Sequence, residues 1–270
     1  MIISDCHIHT NHSSDSKATM ESMILSAIHK GLKTICFTEH FDLDFPVDNA
    51  KTPDFLVDIP EYQKELMDLK DKYSRRIEIL FGLELGLMPY LAPRYEEIVR
   101  EFTFDFIIGS SHLVDGKDPY QVTYFQDISE EEAYYNYFES IVKNINSFKN
   151  FSSYGHIDYI VRYGPDKNAD YSYSKYANIL DKILKSLIEN GKSLEINTSG
   201  YRYGLKQPHP HFDIIKRYRQ LKGELITIGS DAHKPGDIGY NFKEIDNFLT
   251  MLGYKYYTIY RNNSPIMITF

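Results

Sequence analysis

The stretch "SDCHIHTNHSSDS", residues 4–16, sets three histidines and two aspartates close together near the start of the chain. Asp5, His7 and His9 alternate with Cys6 and Ile8, so an extended strand sends the three polar residues to one face. The pattern returns along the sequence. His40 closes "TICFTEH" (34–40), Glu84 closes "ILFGLE" (79–84), His112 closes "FIIGSSH" (106–112), His156 closes "SSYGH" (152–156), and Asp231 and His233 close "LITIGSDAH" (225–233). Each of these ionisable groups stands at or just past the C-terminal end of a short apolar run. In a barrel of parallel strands that edge carries the active site, because the strands fix the points from which variable loops depart.

The runs themselves support such a barrel. Candidate strands at 2–9, 33–39, 77–85, 104–112, 152–157, 192–198, 225–231 and 255–260 alternate with longer segments at helical spacing, the mark of repeated βα units. Met20, Met23, Ile24, Ala27 and Ile28 stripe one helix, which Gly31 ends. Pro60 suits the first turn of the next. Ser129 to Glu132 reads as a capping box opening a helix to about Phe148, and Tyr176, Ile179, Leu180, Ile183, Leu184 and Leu187 stripe another, ended by Gly191. The stretches 41–59 and 113–128 read as long loops on the site side of the barrel. No repeat and no Pro/Gly/Ser linker divides the chain, so 1–270 reads as a single domain.

Composition narrows the function. The chain is 42% hydrophobic and 25% charged, as soluble globular proteins are, and no apolar run approaches a membrane span. The start, MIISDCHIHT, lacks the basic and apolar regions of a signal peptide, which implies a cytoplasmic protein with no membrane contact. Two cysteines, Cys6 and Cys36, allow neither a disulfide framework nor a thiolate-rich metal site. A net charge of −8 opposes nucleic-acid binding, yet leaves room for a small phosphorylated substrate met by one or two local arginines.

A lone histidine at a strand end is an ordinary core or surface residue. His7, His9, His40, His112, His156 and His233 sharing one barrel edge with Glu84 and Asp231 are a ligand set. Imidazole and carboxylate suit zinc, manganese and iron(II). A catalytic zinc takes about three protein ligands and keeps a position open, so the candidates suffice for two or three ions. A carboxylate shared between ions, for which Glu84 is best placed, holds them at the separation used in phosphate ester hydrolysis.

With those residues in place, the chain resembles the PHP (polymerase and histidinol phosphatase) family, and within it the histidinol-phosphate phosphatases. The motifs are D-C-H-I-H followed by Asp15, T-E-H at 38–40, G-L-E at 82–84, S-S-H at 110–112, G-H-I-D at 155–158 and S-D-A-H at 230–233. Glu39 departs from the aspartate usual in the second motif, and Asp15 stands where relatives can carry histidine. The resemblance implies a distorted (β/α)7 TIM-like barrel holding three divalent metal ions (Zn, Mn or Fe). His7, His9, Glu84 and Asp231 would hold one, Glu84, His112 and His156 a second, and Asp15, His40 and His233 the third.

"HIDYIVRYGP" (156–165) and "LEINTSGYRYGLKQPHPH" (194–211) resemble the histidinol-phosphatase subgroup more than the polymerase or nuclease branches. Arg162 and Arg202 would then face the substrate phosphate, since a guanidinium donates paired hydrogen bonds to its oxygens. Glu195 and Asn197 alternate toward the interior as substrate contacts or supports of the ligands, and His209 could reach the substrate. His12, His29 and His211 are not expected among the metal ligands. The implied activity is hydrolysis of L-histidinol phosphate to L-histidinol and phosphate in histidine biosynthesis, by metal-activated hydroxide attacking phosphorus. Glu84, Asp231, His233, Arg162 and Arg202 form the expected catalytic set, and Asp213, His40 and His233 are open candidates for protonating the leaving oxygen. Two alternatives remain: another PHP phosphoesterase, a nuclease or phosphotyrosine-protein phosphatase, or a metal-bound scaffold without turnover.

Overall fold

A computed structural model describes residues 1–46 and 54–270. The apolar runs become strands β1 (Ser4–Ile8), β2 (Thr34–Phe41), β3 (Glu78–Gly86), β4 (Phe106–Ser110), β5 (Ser153–Tyr154), β6 (Ser193–Asn197) and β7 (Ile226–Gly229). They form one parallel sheet in sequence order, with registers such as His40 opposite Glu84 and Glu84 opposite Ile108. The sheet curls until Ile8 bridges Ala232, just beyond β7, with the His9 amide donating to the Ala232 carbonyl at 2.9 Å. The result is a nearly closed seven-stranded barrel.

Between strands run α1 (Met20–His29), α2 (Ile59–Tyr73), α3 (Ala92–Glu101), α4 (Glu130–Ser147), α5 (Ala177–Glu189), the single turn α6 (Ser199–Arg202), α7 (Phe212–Gln220) and α8 (Phe242–Met251). Their starts follow capping chemistry: Thr19, Asp58 and Ser129 accept from the backbone amides of Ser22, Glu61 and Glu132. Gly31 and Gly191 lie just beyond α1 and α5 at φ of +81° and +63°, the conformation a helix-terminating glycine supplies. The striped residues Met20, Met23, Ile24 and Ala27 are buried, as are Ile179, Leu180, Ile183, Leu184 and Leu187. Part of the expected 41–59 loop lies outside the described residues. Its ends are tied to β2, the Asp42 amide donating to the Phe55 carbonyl and the Val57 amide to that of His40.

The eighth candidate strand does not enter the barrel. β8 (Tyr256–Arg261) pairs antiparallel with β9 (Ser264–Thr269) through a two-residue turn. Asn262 and Asn263 sit there at φ of +48° and +56°, as a hairpin turn of that length requires. The hairpin closes the end of the barrel away from the ligands. The Tyr257 hydroxyl meets the Ser4 hydroxyl and the Ile3 amide, and that of Tyr260 meets the Ser193 hydroxyl and the Ser152 carbonyl. Among the described residues no helix is long and apolar enough to cross a membrane.

Candidate metal centre

The barrel brings all nine expected ligands to its C-terminal end. Glu84, fully buried at the end of β3, is the hub. Its Oε1 lies 3.3 Å from His112 Nε2 and 3.0 Å from His156 Nε2, and its Oε2 lies 3.2 Å from His7 Nε2, 3.5 Å from His9 Nε2 and 3.0 Å from His40 Nδ1. Asp231 Oδ1 is 3.8 Å from His7 Nε2 and 3.4 Å from His9 Nε2. Asp15 Oδ2 is 3.6 Å from His40 Nε2 and 3.0 Å from His233 Nε2. Donor atoms of His7, His9 and Glu84 gather within 4.8 Å, as do those of His40, Glu84 and His112, of His7, His156 and Asp231, and of His9, His40 and His233. These sets overlap, because the His9 ring stacks between His40 at 4.2 Å and His233 at 4.3 Å.

The donors suit cations better than one another. Among the described residues His7 Nε2, His9 Nε2, His40 Nδ1, His233 Nε2 and Glu84 Oε2 are buried without a hydrogen bond, although opposite charges lie within ion-pair reach. Leaving such atoms buried and unpaired is costly. Ligands at about 2.0–2.1 Å from a tetrahedral ion stand roughly 3.3 Å apart, close to the spacing found here.

The site's electrostatics follow from burial opposed by charge. Burial works to raise the Glu84 and Asp231 carboxyls, but the surrounding imidazoles hold both well below the usual carboxylate range. Burial works to lower His7 and His40, but Glu195 and Glu84 around the first and Asp15 and Glu84 around the second lift them well above ordinary histidine. Burial and the neighbouring His40 and His233 push His9 down to about 3, leaving it neutral and ready to donate a lone pair. Several imidazole protons thus occupy places that metal charge can take.

Carboxylates and hydroxyls behind the ligands fix their directions. Glu195, buried on β6, meets His7 Nδ1 at 2.5 Å, accepts from the His156 amide at 2.8 Å and from Asn197 Nδ2 at 3.2 Å. Asp42 meets His112 Nδ1 at 2.6 Å, and Ser110 donates to Glu84 Oε1 at 2.7 Å. Ser13 lies 3.3 Å from His9 Nδ1 and donates to Glu39, which also takes the Thr10 hydroxyl at 2.7 Å. Imidazole backed in this way presents its other nitrogen to a metal in a set tautomer. Space for Glu195 comes from glycine: a Cβ at Gly229 would collide with His7 and Glu195, and one at Gly155 with Ser110.

The remaining residues divide. The Arg162 guanidinium lies 3.9 Å from the Tyr159 ring centre and 4.1 Å from that of Tyr203, and its Nε makes no hydrogen bond among the described residues. Tyr159 packs against His156 at 4.8 Å, which sets Arg162 one ring away from the ligands. Arg202 instead grips the backbone, donating to the Ser230 and Asp231 carbonyls at 2.7 Å each, with its Nε 3.3 Å from Asp237. Asn197 uses both ends of its amide, toward Glu195 and toward the Ser199 amide. His209 is buried, with Nδ1 2.6 Å from Asp158. His12 pairs with Glu65 at 2.8 Å, His29 lies exposed in the last turn of α1, and His211 caps α7.

Asp5 does not join the ligands it alternates with. An irregularity in β1 between Asp5 and Ile8 interrupts the register, and Asp5 accepts from the Ser230 amide and hydroxyl and the Gly239 amide. Nothing local in the sequence marks Asp42 and Asp158 as supports, since they stand 70 and 51 residues from the imidazoles they hold.

The PHP domain family matches residues 5–199. The histidinol-phosphatase of Lactococcus lactis is 34% identical over 231 residues, 85% of this chain and 83% of its own. That of Bacillus subtilis is 29% identical over 269 residues, 88% of this chain and 96% of its own. A crystal structure of the Lactococcus lactis histidinol phosphate phosphatase, complexed with zinc, L-histidinol and phosphate, superposes with a TM-score of 0.89. It shares 28% identity in that superposition and covers 97% of this chain and 98% of the other.

Proposed function

The chain belongs to the PHP domain family, and from that premise we propose that it is a phosphomonoesterase converting L-histidinol phosphate to L-histidinol and inorganic phosphate. The observation that carries this reading is the gathering of nine candidate ligand residues, six histidines with Glu84, Asp15 and Asp231, at one end of a barrel superposing on the phosphatase complexed with zinc, L-histidinol and phosphate. His7, His9, Glu84 and Asp231 would hold one divalent ion, Glu84, His112 and His156 a second, and Asp15, His40 and His233 a third. Once bound, such ions supply Lewis acidity to the phosphoryl oxygens and activate water for in-line attack.

The protein's own residues do the rest. Arg162, held by aromatic faces rather than by a carboxylate, has donors to give to phosphoryl oxygens as charge develops on them. Glu195 and Asp42 keep His7 and His112 aimed at the centre, so no reorganisation is needed during reaction. Arg202 serves by fixing the turn that carries Asp231 rather than by reaching substrate. Cys6 and Cys36, both buried and unpaired, suit a reducing cytoplasmic setting.

The test measures bound metal and phosphate release from histidinol phosphate beside p-nitrophenyl phosphate, a phosphotyrosine peptide and short DNA. The expected result is bound divalent metal and a clear preference for histidinol phosphate. Preference for any other substrate, or metal-loaded protein without turnover, overturns the reading.

A further inference from the structure

Among the described residues three imidazoles make a hydrogen bond to a carboxylate through Nδ1: His7 with Glu195, His112 with Asp42 and His209 with Asp158. In the first two the far nitrogen faces Glu84, at 3.2 and 3.3 Å. In the third, His209 Nε2 is fully buried and without a hydrogen bond among the described residues, and its donor group does not belong to any metal cluster there. A histidine oriented on one side and left without a partner on the other has the wiring of a proton donor or acceptor.

Its position gives the direction. His209 and Asn197 form an antiparallel bridge, each amide donating to the other's carbonyl, at 2.7 and 2.8 Å. Residues directly opposite in such a pair project to the same face. Asn197 projects inward, its Nδ2 3.4 Å from His7 Nδ1 and 3.2 Å from Glu195, so His209 projects to that side as well. Asp158, which also accepts from the His211 amide, fastens the 209–211 loop to the turn carrying Arg162. His209 therefore stands where the segments that follow β5 and β6 meet.

Hydrolysis of an alkyl phosphate needs a proton for the leaving oxygen, and the sequence offered Asp213, His40 and His233. Asp213 lies on α7 with a side chain 54% exposed and near Lys216. His40 and His233 share Asp15 within the ligand set. We propose that His209 is the general acid and that Asp158 is the residue positioning it. This rests on the phosphomonoesterase reading above. As the oxygen of water bonds to phosphorus, the P–O bond to the alcohol breaks and its electron pair stays on the alcohol oxygen. The proton on His209 Nε2 moves to that oxygen, leaving neutral imidazole with Nδ1–H on Asp158, and solvent restores the proton.

Leaving-group dependence tests this. Wild type, His209→Gln and Asp158→Asn are compared on aryl phosphates with leaving groups from p-nitrophenol to phenol, on an alkyl phosphate bearing neither amine nor imidazole, and on histidinol phosphate. His209→Gln is expected to lower kcat/KM about 10²–10⁴-fold on the alkyl esters, progressively less as the leaving group becomes more acidic, and to leave p-nitrophenyl phosphate near the wild-type value. That last rate also reports intact folding and metal loading. Asp158→Asn is expected to follow the same slope with a smaller loss. An equal loss on every ester makes His209 structural and overturns the proposal. Loss on histidinol phosphate alone, with the plain alkyl ester unaffected, makes it a recognition residue and equally overturns it. Wild-type turnover of the other esters but not of histidinol phosphate would overturn the substrate reading instead, while the variant's slope still decides the role of His209.

Discussion

Glu195→Gln separates a carboxylate that tunes a metal ligand from one that merely fills the core. The change preserves shape and removes one negative charge. Glu195 Oε1 faces His7 Nδ1 at 2.5 Å, while Oε2 faces two donors, the His156 amide at 2.8 Å and Asn197 Nδ2 at 3.2 Å. A glutamine has one carbonyl to serve both sides. Turned toward His156 and Asn197, its NH2 group meets His7 and selects the tautomer protonated at Nε2, the nitrogen meant for metal. Turned the other way, it sets NH2 against two donors.

Either arrangement forfeits a charge-assisted hydrogen bond of about 1.5–3 kcal/mol, which at about 1.4 kcal/mol per decade is roughly 10–100-fold in affinity. Removal of such supports in metal sites costs about the same. Competition with a chromophoric chelator gives the affinity, and phosphate release at limiting and saturating metal gives the catalytic consequence. One ion should bind about 10–100-fold more weakly, with activity partly regained at high metal. Wild-type affinity together with reduced thermal stability would refute the reasoning and leave Glu195 as a core hydrogen-bonding residue.

Arg162→Met should lower kcat/KM about 10²–10³-fold with bound metal unchanged, whereas Arg202→Met should lose metal as well, because Arg202 holds the carbonyls flanking the Asp231 side chain; steady-state kinetics beside metal analysis checks both. Chelated protein should lose stability between about pH 6.5 and 9. Burial opposes charge on His112, but Asp42 and Glu84 push it up to about 9, above about 6.5 for the unfolded chain. Its contribution, on the order of 3 kcal/mol, is therefore complete below pH 6.5 and gone above 9. Denaturation midpoints should fall over that interval without metal and much less with it, and a flat midpoint in chelated protein would count against the Asp42–His112 pair.

The clustering of the candidate ligands was legible because strand alternation and strand ends are local features, readable within a few residues at 4–16 and at the close of each apolar run. Glu195 could be read as a support from its strand alternation, but which imidazole it holds could not, nor could Asp42, because the partners lie far off in sequence: 188 residues separate His7 from Glu195, and 70 separate His112 from Asp42. The final strand was readable as a strand but not as a hairpin arm, since the apolar run 255–260 is the same in a barrel and outside it. The discriminating signal was the Asn262-Asn263 pair beyond it, a turn sequence that returns the chain antiparallel and leaves no room for a crossover helix.

Arg202 and Asp5 illustrate a harder limit, since both act mainly on backbone atoms, which leave no trace in a sequence. Asp231 sits at a φ of +53°, a left-handed conformation that costs an L-residue roughly 1–2 kcal/mol, somewhat less for aspartate. Such a conformation persists only where the surroundings over-determine it. From one side Arg202 takes the carbonyls of Ser230 and Asp231, and Asp237 holds Arg202 in turn. From the other, Asp5 takes the Ser230 amide and hydroxyl and the Gly239 amide. The turn so held carries the Asp231 carboxylate back to within 3.4 Å of His9 Nε2. Two charged residues that the sequence places near the reacting centre thus act one step away from it. They hold a strained turn that brings the Asp231 carboxylate to the candidate ligands, whereas Arg162 rests on the Tyr159 and Tyr203 rings and the Tyr163 hydroxyl.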